Sequence, residues 1–74
     1  YLSWSPDGSR IAFIRGEWGN GDLWTYNLEA GTSTRITSGE SDDIYPCWSP
    51  QGDQIVYSSN RESGEYDLWI IDVE

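Results

Sequence analysis

Three short segments of this chain occur twice, in identical or closely similar form and in the same order. They are W-S-P-D-G at 4–8 with W-S-P-Q-G at 48–52, I-A-F at 11–13 with I-V-Y at 55–57, and D-L-W at 22–24 with D-L-W at 67–69. The first two pairs are 44 positions apart and the third is 45 apart, so one residue has been inserted in the second copy. A repeat of this length that carries short β-patterns indicates the blades of a β-propeller.

The segments between the turns predict β-strands. Arg10–Arg15 and Gln54–Ser59 are rich in β-branched and aromatic side chains and are bounded by turn residues. Residues 68–71 are all apolar, which indicates a strand covered on both faces. No segment has helical periodicity or caps. The sequence therefore predicts an all-β chain, a β-propeller fragment of almost two four-stranded antiparallel blades.

Labelled A to D from the propeller axis outward, the predicted strands divide the chain into blade 1 (1–38) and blade 2 (39–74). Blade 1 has its strands at 1–4, 10–15, 22–27 and 35–37, and blade 2 has them at 45–48, 54–59 and 66–72. We expect strand A of blade 1 to be truncated. We expect the outer strand D of blade 2 to be missing.

The charge of the chain narrows the classes of partner. It has 13 acidic residues against four arginines and no lysine, for a net charge of −9. A surface of this sign repels phosphate backbones and anionic lipids, so we expect no nucleic-acid partner. No apolar run is long enough to span a bilayer. The acidic surface either favours cationic partners or simply keeps the protein soluble.

Catalysis is not expected from this composition. Without histidine or lysine the chain has no Ser-His or Cys-His pair, no Schiff base and no Ser-Lys dyad. Its acids are expected in solvated turns, where nothing perturbs one carboxyl of a pair as glycoside hydrolysis requires. Cys47 is the single cysteine, so no intramolecular disulfide can form, and we expect it to be a small buried residue.

Several residues of the repeat are expected to build the blades. Type I turns are predicted at Pro6, Gly8, Pro50 and Gly52. Four tryptophans are expected to fill the gaps between blades, namely Trp4 and Trp48 before these turns and Trp24 and Trp69 on strand C.

Two acids open the C strands, and one arginine lies shortly before the second of them in sequence. Asp22 and Asp67 each follow a loop, where a carboxylate accepts backbone N–H groups and fixes the turn. Metal ligation is the alternative role for both. We expect Arg61 to pair with such an acid rather than to contact a ligand.

The B–C and D–A loops of an A–B–C–D meander emerge at the same end of the blades. These loops contain Glu17, Trp18, Glu40, Asp42, Asp43, Glu62 and Glu65. Trp18 has no counterpart in the second copy, and it either packs back over the blade or marks a contact surface for a partner or sugar. We place any binding site at this acidic end. Clustered carboxylates also suit calcium, but the D-x-D-x-D-G spacing is absent, so no cofactor is expected.

The pattern P-x-W-S-P-D-G, an apolar strand, S-N-R and then D-L-W resembles the propeller repeat of the TolB family. The second copy carries P-C-W-S-P at 46–50, S-N-R at 59–61 and D-L-W at 67–69. The first copy departs from the pattern, with I-R-G at 14–16 in place of S-N-R and Leu2 in place of the proline. Related repeats occur in propellers attached to tricorn-type and prolyl-oligopeptidase-like proteases.

This resemblance implies a non-catalytic interaction module, periplasmic or extracellular, that binds protein or peptide partners through its loops. One alternative is a propeller that gates substrate access in such a protease. Another is a propeller-building fragment without a ligand of its own. Two blades alone leave two apolar faces exposed. We therefore expect the chain to form a cyclic homo-oligomer or to be part of a larger protein.

Overall fold

The computed structural model describes residues 2–17, 19–39, 41–61 and 64–73 of the chain. These residues form seven β-strands in two antiparallel meanders, in which strands adjacent in sequence pair with each other. The first sheet contains β1 (Leu2–Trp4), β2 (Arg10–Arg15), β3 (Asp22–Asn27) and β4 (Thr32–Arg35). The second contains β5 (Asp43–Trp48), β6 (Gln54–Ser59) and β7 (Asp67–Asp72). The predicted all-β class is confirmed, whereas the blade boundaries at 1–38 and 39–74 stay a prediction.

The outer strand of the first sheet lies earlier than expected, at Thr32–Arg35 instead of 35–37. The side-chain oxygen of Asn27 accepts the N–H groups of the two residues at 29 and 30, at 3.0 Å each. Gly31 then closes the turn with φ of +69°, a conformation that glycine adopts without strain. The chain therefore reverses immediately after β3, and β4 begins at the next residue.

The repeat seen in sequence is preserved in the backbone hydrogen bonds of the two turns. The Ser5 N–H donates to the Arg10 carbonyl at 2.8 Å, and Ser49 makes the same bond to Gln54 at 2.9 Å. The amides at Gly8 and Gly52 close the two turns in the same way.

Two substitutions distinguish the side-chain hydrogen bonds of the two turns, with glutamine in place of Asp7 and Asp53 in place of Ser9. In the first, Asp7 accepts hydrogen bonds from Ser9 and Ser5, which lower the pKa of its carboxyl to about 2. In the second, glutamine stands at the equivalent position, and the Ser49 hydroxyl donates instead to Asp53 at 3.0 Å.

The core lies between the two sheets. Ala12 and Leu23 of the first sheet face Trp48, Ile55 and Tyr57 of the second, and all five are buried. β5 lies against β1, β2 and β3, so the inner strand of the second sheet makes most of the contact. Each sheet covers one face of the other, which leaves the outer face of each sheet open.

Trp48 links the sheets through polar as well as apolar contacts. Its indole Nε1–H donates to the Ser3 carbonyl at 2.9 Å. The Arg10 guanidinium lies 4.6 Å from the centroid of the Trp48 ring and donates to the Gly52 carbonyl at 2.8 Å. Trp48 therefore fills the gap between the sheets.

The other three tryptophans that the structure describes lie in different surroundings. Trp69 packs against the edge of the core, while Trp24 stacks on Phe13 with centroids 6.5 Å apart on the outer face of the first sheet. Trp4 is on that same outer face and is 57% exposed. A role for Trp4 between blades therefore needs a further blade and stays a prediction.

The expectation that Cys47 is buried is wrong, because its side chain is exposed. Successive residues of a strand point to opposite faces of its sheet. Since Trp48 points into the core, Cys47 points to the outer face of the second sheet.

Candidate functional site

Three loops meet at one end of the two sheets and enclose a groove of about 330 Å³. They are the loops that follow β2, β4 and β6, the B–C and D–A loops of the meander. We call this feature the loop groove. It is lined by the glycine backbone of the β2–β3 loop and by the side chains of Ile14, Glu17, Asp42, Ile44, Tyr45 and Tyr66.

Asp42 holds the three loops together. One carboxylate oxygen accepts the Gly21 N–H at 2.8 Å and the other accepts the Tyr66 hydroxyl at 2.6 Å. Its own N–H donates to the Asn60 side chain at 2.7 Å. Asp42 is only 8% exposed. It therefore determines the shape of the groove by holding the loops in place, and it presents little of its charge to a ligand.

Asp43 is fully buried and its carboxylate is occupied. Oδ2 accepts the Thr37 hydroxyl at 2.5 Å and lies 3.5 Å from an Arg61 guanidinium nitrogen, while Oδ1 is 3.4 Å from the Ser41 hydroxyl. The Thr37 hydroxyl in turn accepts the Leu23 N–H at 2.9 Å. The expectation of solvated carboxylates is therefore wrong for Asp42 and Asp43, because both bind groups from other strands and loops.

Of the remaining residues proposed for binding, the structure describes Glu17 and Glu65. Glu17 is exposed at the rim of the groove, and Glu65 is exposed in the loop before β7. Trp18 and Glu62, together with Glu40, lie outside the residues that the structure describes.

Arg61 has a different partner from the ones considered in sequence. It pairs with Asp43 rather than with an acid of strand C, and its guanidinium lies 5.6 Å from the Tyr57 ring and 5.4 Å from the Trp69 ring. Asp22 binds the Arg35 guanidinium at 2.6 Å instead of backbone N–H groups. Asp67 is exposed at the start of β7.

Tyr45 and Tyr66 were missed by the sequence reasoning. Tyr45 has φ of +55°, in the left-handed region that residues other than glycine rarely adopt, at the irregular pairing between Ile44 and Cys47. Tyr66 occupies the position that Gly21 holds in the first copy. That exchange of glycine for an aromatic residue was the signal available in the sequence.

Gly21 is required by close packing rather than by its φ angle. A Cβ atom there would lie 2.5 Å from Cγ2 of Ile14 and 3.1 Å from the Asp43 carbonyl oxygen. The Gly21 carbonyl also accepts the Asp43 N–H at 2.9 Å, which joins the β2–β3 loop to the start of β5. The floor of the groove is thus fixed by backbone contacts between the two sheets.

The hydrogen bond to Asp42 raises the pKa of Tyr66 above its ordinary value of 10.0. We expect Asp42→Asn to lower that pKa towards 10.0, because the neutral amide places no negative charge beside the tyrosinate and its N–H can donate to it. The pKa of Tyr66 is higher in the folded state than in the unfolded state. The hydrogen bond therefore contributes its full stabilisation below the unfolded-state pKa, and this stabilisation is lost as pH rises through the folded-state pKa. The measurement is a tyrosinate absorbance titration.

Tyr66→Phe is the control for this titration, because the difference between its curve and that of the wild type isolates the Tyr66 step. Identical curves for the wild type and Asp42→Asn would show that the bond does not form.

The groove offers aromatic and aliphatic surface beside the exposed carboxylate of Glu17, a combination suited to noncovalent binding. Within the described residues, no three Cys, Asp or Glu side chains are placed to hold a metal ion. The described part of the chain also contains no helix with the length and apolar character needed to cross a membrane.

Comparisons with known proteins agree with this architecture. Among curated relatives, the uncharacterized protein Atu1656 of Agrobacterium fabrum is 31% identical over 96% of this chain and 24% of its own length. Dipeptidyl-peptidase 5 of Porphyromonas gingivalis is 40% identical over 90% of this chain and 11% of its own length. This chain therefore spans about a quarter or less of these relatives.

A solved structure and a family of sequences give the same assignment. A protein of Agrobacterium tumefaciens assigned to TolB superposes with a TM-score of 0.86 at 30% identity, over 97% of this chain and 26% of that protein. The sequence model of the TolB beta propeller domain matches residues 2–74. Two antiparallel meanders, a preserved repeat and this match show that the chain belongs to the TolB β-propeller domain family.

Proposed function

We propose that this chain is a non-catalytic propeller segment that binds a protein or peptide through the loop groove. The observation that carries the proposal is the pair of tyrosines at the groove, Tyr45 at 57% and Tyr66 at 48% exposure, beside Ile14 and Ile44. Tyrosine combines a large apolar ring with a polar tip, and it is enriched at sites where proteins bind one another.

The charge of the chain favours a basic segment as the ligand. Glu17 is exposed at the rim, and the chain has a net charge of −9, which favours positively charged ligands. A peptide with a positive side chain between apolar residues could place the charge near Glu17. Its apolar residues would then contact the aromatic side chains of the groove. The buried carboxylates of Asp42 and Asp43 are occupied within the protein, so they add potential but no direct contact.

Two synthetic peptides of equal length test this proposal, both rich in Leu and Tyr, one carrying lysines and the other glutamates at the same positions. Isothermal titration calorimetry should show tighter binding of the lysine peptide. Glu17→Arg should weaken that binding by about threefold or more, as expected for one exposed ion pair reversed.

Glu29→Arg is the matched control, because Glu29 is exposed in the turn between β3 and β4, at the other end of the strands. It makes the same change in net charge and should alter binding much less. Equal binding of the two peptides, or equal effects of the two variants, would contradict a basic ligand in the groove.

A second candidate is a segment that controls substrate access in a larger protease. The similarity to dipeptidyl-peptidase 5 of Porphyromonas gingivalis favours it. The chain itself has no histidine and no lysine, so the catalytic groups would belong to another domain. Sequencing the gene beyond both ends of this segment tests this second candidate. If the candidate is correct, the flanking sequence should encode a hydrolase domain with a G-x-S-x-G nucleophile motif.

We further propose that additional blades cover the outer faces of both sheets. They would come from copies of this chain or from a longer protein of the periplasm or cell exterior. The support is the exposure of large apolar side chains on both outer faces, since such patches are rare on monomeric proteins. A chain that binds no peptide but still assembles would be a propeller-building fragment without its own ligand.

A further inference from the structure

Each sheet has an apolar outer face that no described residue covers. On the first sheet, Leu2, Trp4 and Leu28 are 63%, 57% and 43% exposed, and we call this the Trp4 face. On the second sheet, Leu68 and Ile70 are 78% and 63% exposed beside the exposed Cys47, and we call this the Leu68 face.

The internal repeat gives the Trp4 face a counterpart within this chain. Its three residues correspond, 44 or 45 positions later, to Pro46, Trp48 and Val73 of the second sheet. All three of these counterparts are buried, with Trp48 at 7% and Val73 at 6% exposure. They belong to the side of the second sheet that packs on the first. The Trp4 face is therefore the first-copy version of a surface already buried in this chain.

The Leu68 face also has a counterpart within this chain, on the opposite side of the contact between the two sheets. Leu68 and Ile70 correspond to Leu23 and Thr25 of the first sheet, which are 0% and 7% exposed. Those two residues are buried because they belong to the side of the first sheet that faces the second. The two open faces thus correspond to the two opposite sides of one observed interface.

We propose that the Trp4 face of one copy of this chain packs on the Leu68 face of a second copy, as the two sheets pack within one copy. This inference deepens the multi-blade assembly proposed above by naming the occupant and its orientation. The contact joins unlike faces, so it is heterologous. Repeated from copy to copy it either closes a ring or extends a filament.

The interface between the two sheets of one copy predicts one hydrogen bond in the proposed interface between copies. Within the chain, the Trp48 indole donates to the Ser3 carbonyl. The repeat places Trp4 at the position of Trp48 and Cys47 at the position of Ser3. The Trp4 indole of one copy therefore donates to the Cys47 carbonyl of the next copy.

The contact between copies is weaker than the one within a copy. The Arg10 guanidinium that stacks on Trp48 has Gln54 as its counterpart, and glutamine makes no cation–π contact. The net charge of −9 on each copy adds repulsion, which salt screens. Assembly should therefore increase with both protein concentration and ionic strength.

Two variants, each blocked on one face, test the orientation. Sedimentation velocity of the wild type should show discrete multiples of the monomer that increase with salt. Trp4→Glu and Ile70→Glu should each be monomeric alone, since each has lost one of the two unlike faces. Mixed in equal amounts they should form a heterodimer and nothing larger, because each keeps the face that the other needs.

Alkylation of Cys47 in the wild type provides a second measurement that does not depend on the variants folding. Cys47 lies on the Leu68 face, so its reaction rate with iodoacetamide should fall several-fold as the protein concentration rises through assembly. A rate independent of concentration, with a monomeric mass throughout, overturns the proposal. Dimerisation of Trp4→Glu alone also overturns it, because that dimer would pair like faces.

These results are separable from peptide binding at the loop groove. The groove lies within one copy, and Trp4 is not part of it. Monomeric Trp4→Glu that binds the lysine peptide as the wild type does would leave the groove proposal intact. A wild type that binds the lysine peptide without assembling would contradict only the assembly proposal, and a wild type that assembles without binding the peptide would contradict only the groove proposal.

Discussion

Replacing Trp48 with alanine should lower the free energy of unfolding by about 3–5 kcal/mol, the usual cost of removing a large buried aromatic side chain. Trp48 is 7% exposed, donates to the Ser3 carbonyl and lies under the Arg10 guanidinium. A loss of this size approaches the whole stability of a chain of this length, about 4–11 kcal/mol at typical values per residue. Urea denaturation followed by tryptophan fluorescence measures the difference.

Trp4→Ala is the matched control for that experiment. Trp4 occupies the position of the first copy that Trp48 occupies in the second, yet it is 57% exposed. Its removal from the monomer should cost about 1 kcal/mol or less, as for most surface substitutions. Comparable losses for the two variants would mean that the sheets do not pack through Trp48.

Leu23→Ala should destabilise the chain by about 2–5 kcal/mol, since it leaves a cavity at a fully buried position. Leu23 is 0% exposed and lies in the core between the sheets. Thermal unfolding followed by circular dichroism should show a large fall in Tm, or no folded baseline at all.

Leu68→Ala is the corresponding control, at the same position of the second copy but 78% exposed. In the monomer it should change stability by about 0.5 kcal/mol or less. Equal falls in Tm for the two leucine variants in dilute protein would contradict the packing described here. Because Trp4 and Leu68 lie on the proposed contact between copies, the cost of both control variants should rise with protein concentration.

The repeat allowed the inner elements of the fold to be predicted with their bounds. β2, β3 and β6 begin and end where the sequence placed them, because their apolar and β-branched residues are bounded by clear turn residues. β4 could not be placed in the same way. Its start depends on the turn that Asn27 and Gly31 form directly after β3, within a segment that reads only as a polar loop.

The sequence predicted that the B–C and D–A loops lie at one end of the strands, where the structure has the loop groove, but not that Asp42 and Asp43 are buried there. Topology alone brings the three loops together, and topology followed from the repeat. The sequence does not show that Asp42 meets the Gly21 amide, which is 21 positions away, or that Asp43 meets Arg61. Whether a carboxylate faces solvent or another loop depends on contacts that no local pattern records.

Gly21 and Tyr66 occupy equivalent positions in the two copies of the repeat, and the loop groove needs both. Tyrosine cannot replace Gly21, where even a Cβ atom would meet Ile14. A groove of this kind therefore forms only where a first-copy blade is followed by a second-copy blade. In a head-to-tail assembly it would recur once per chain, at every second gap between blades. A partner with several docking segments would then gain avidity from the regular spacing of these sites.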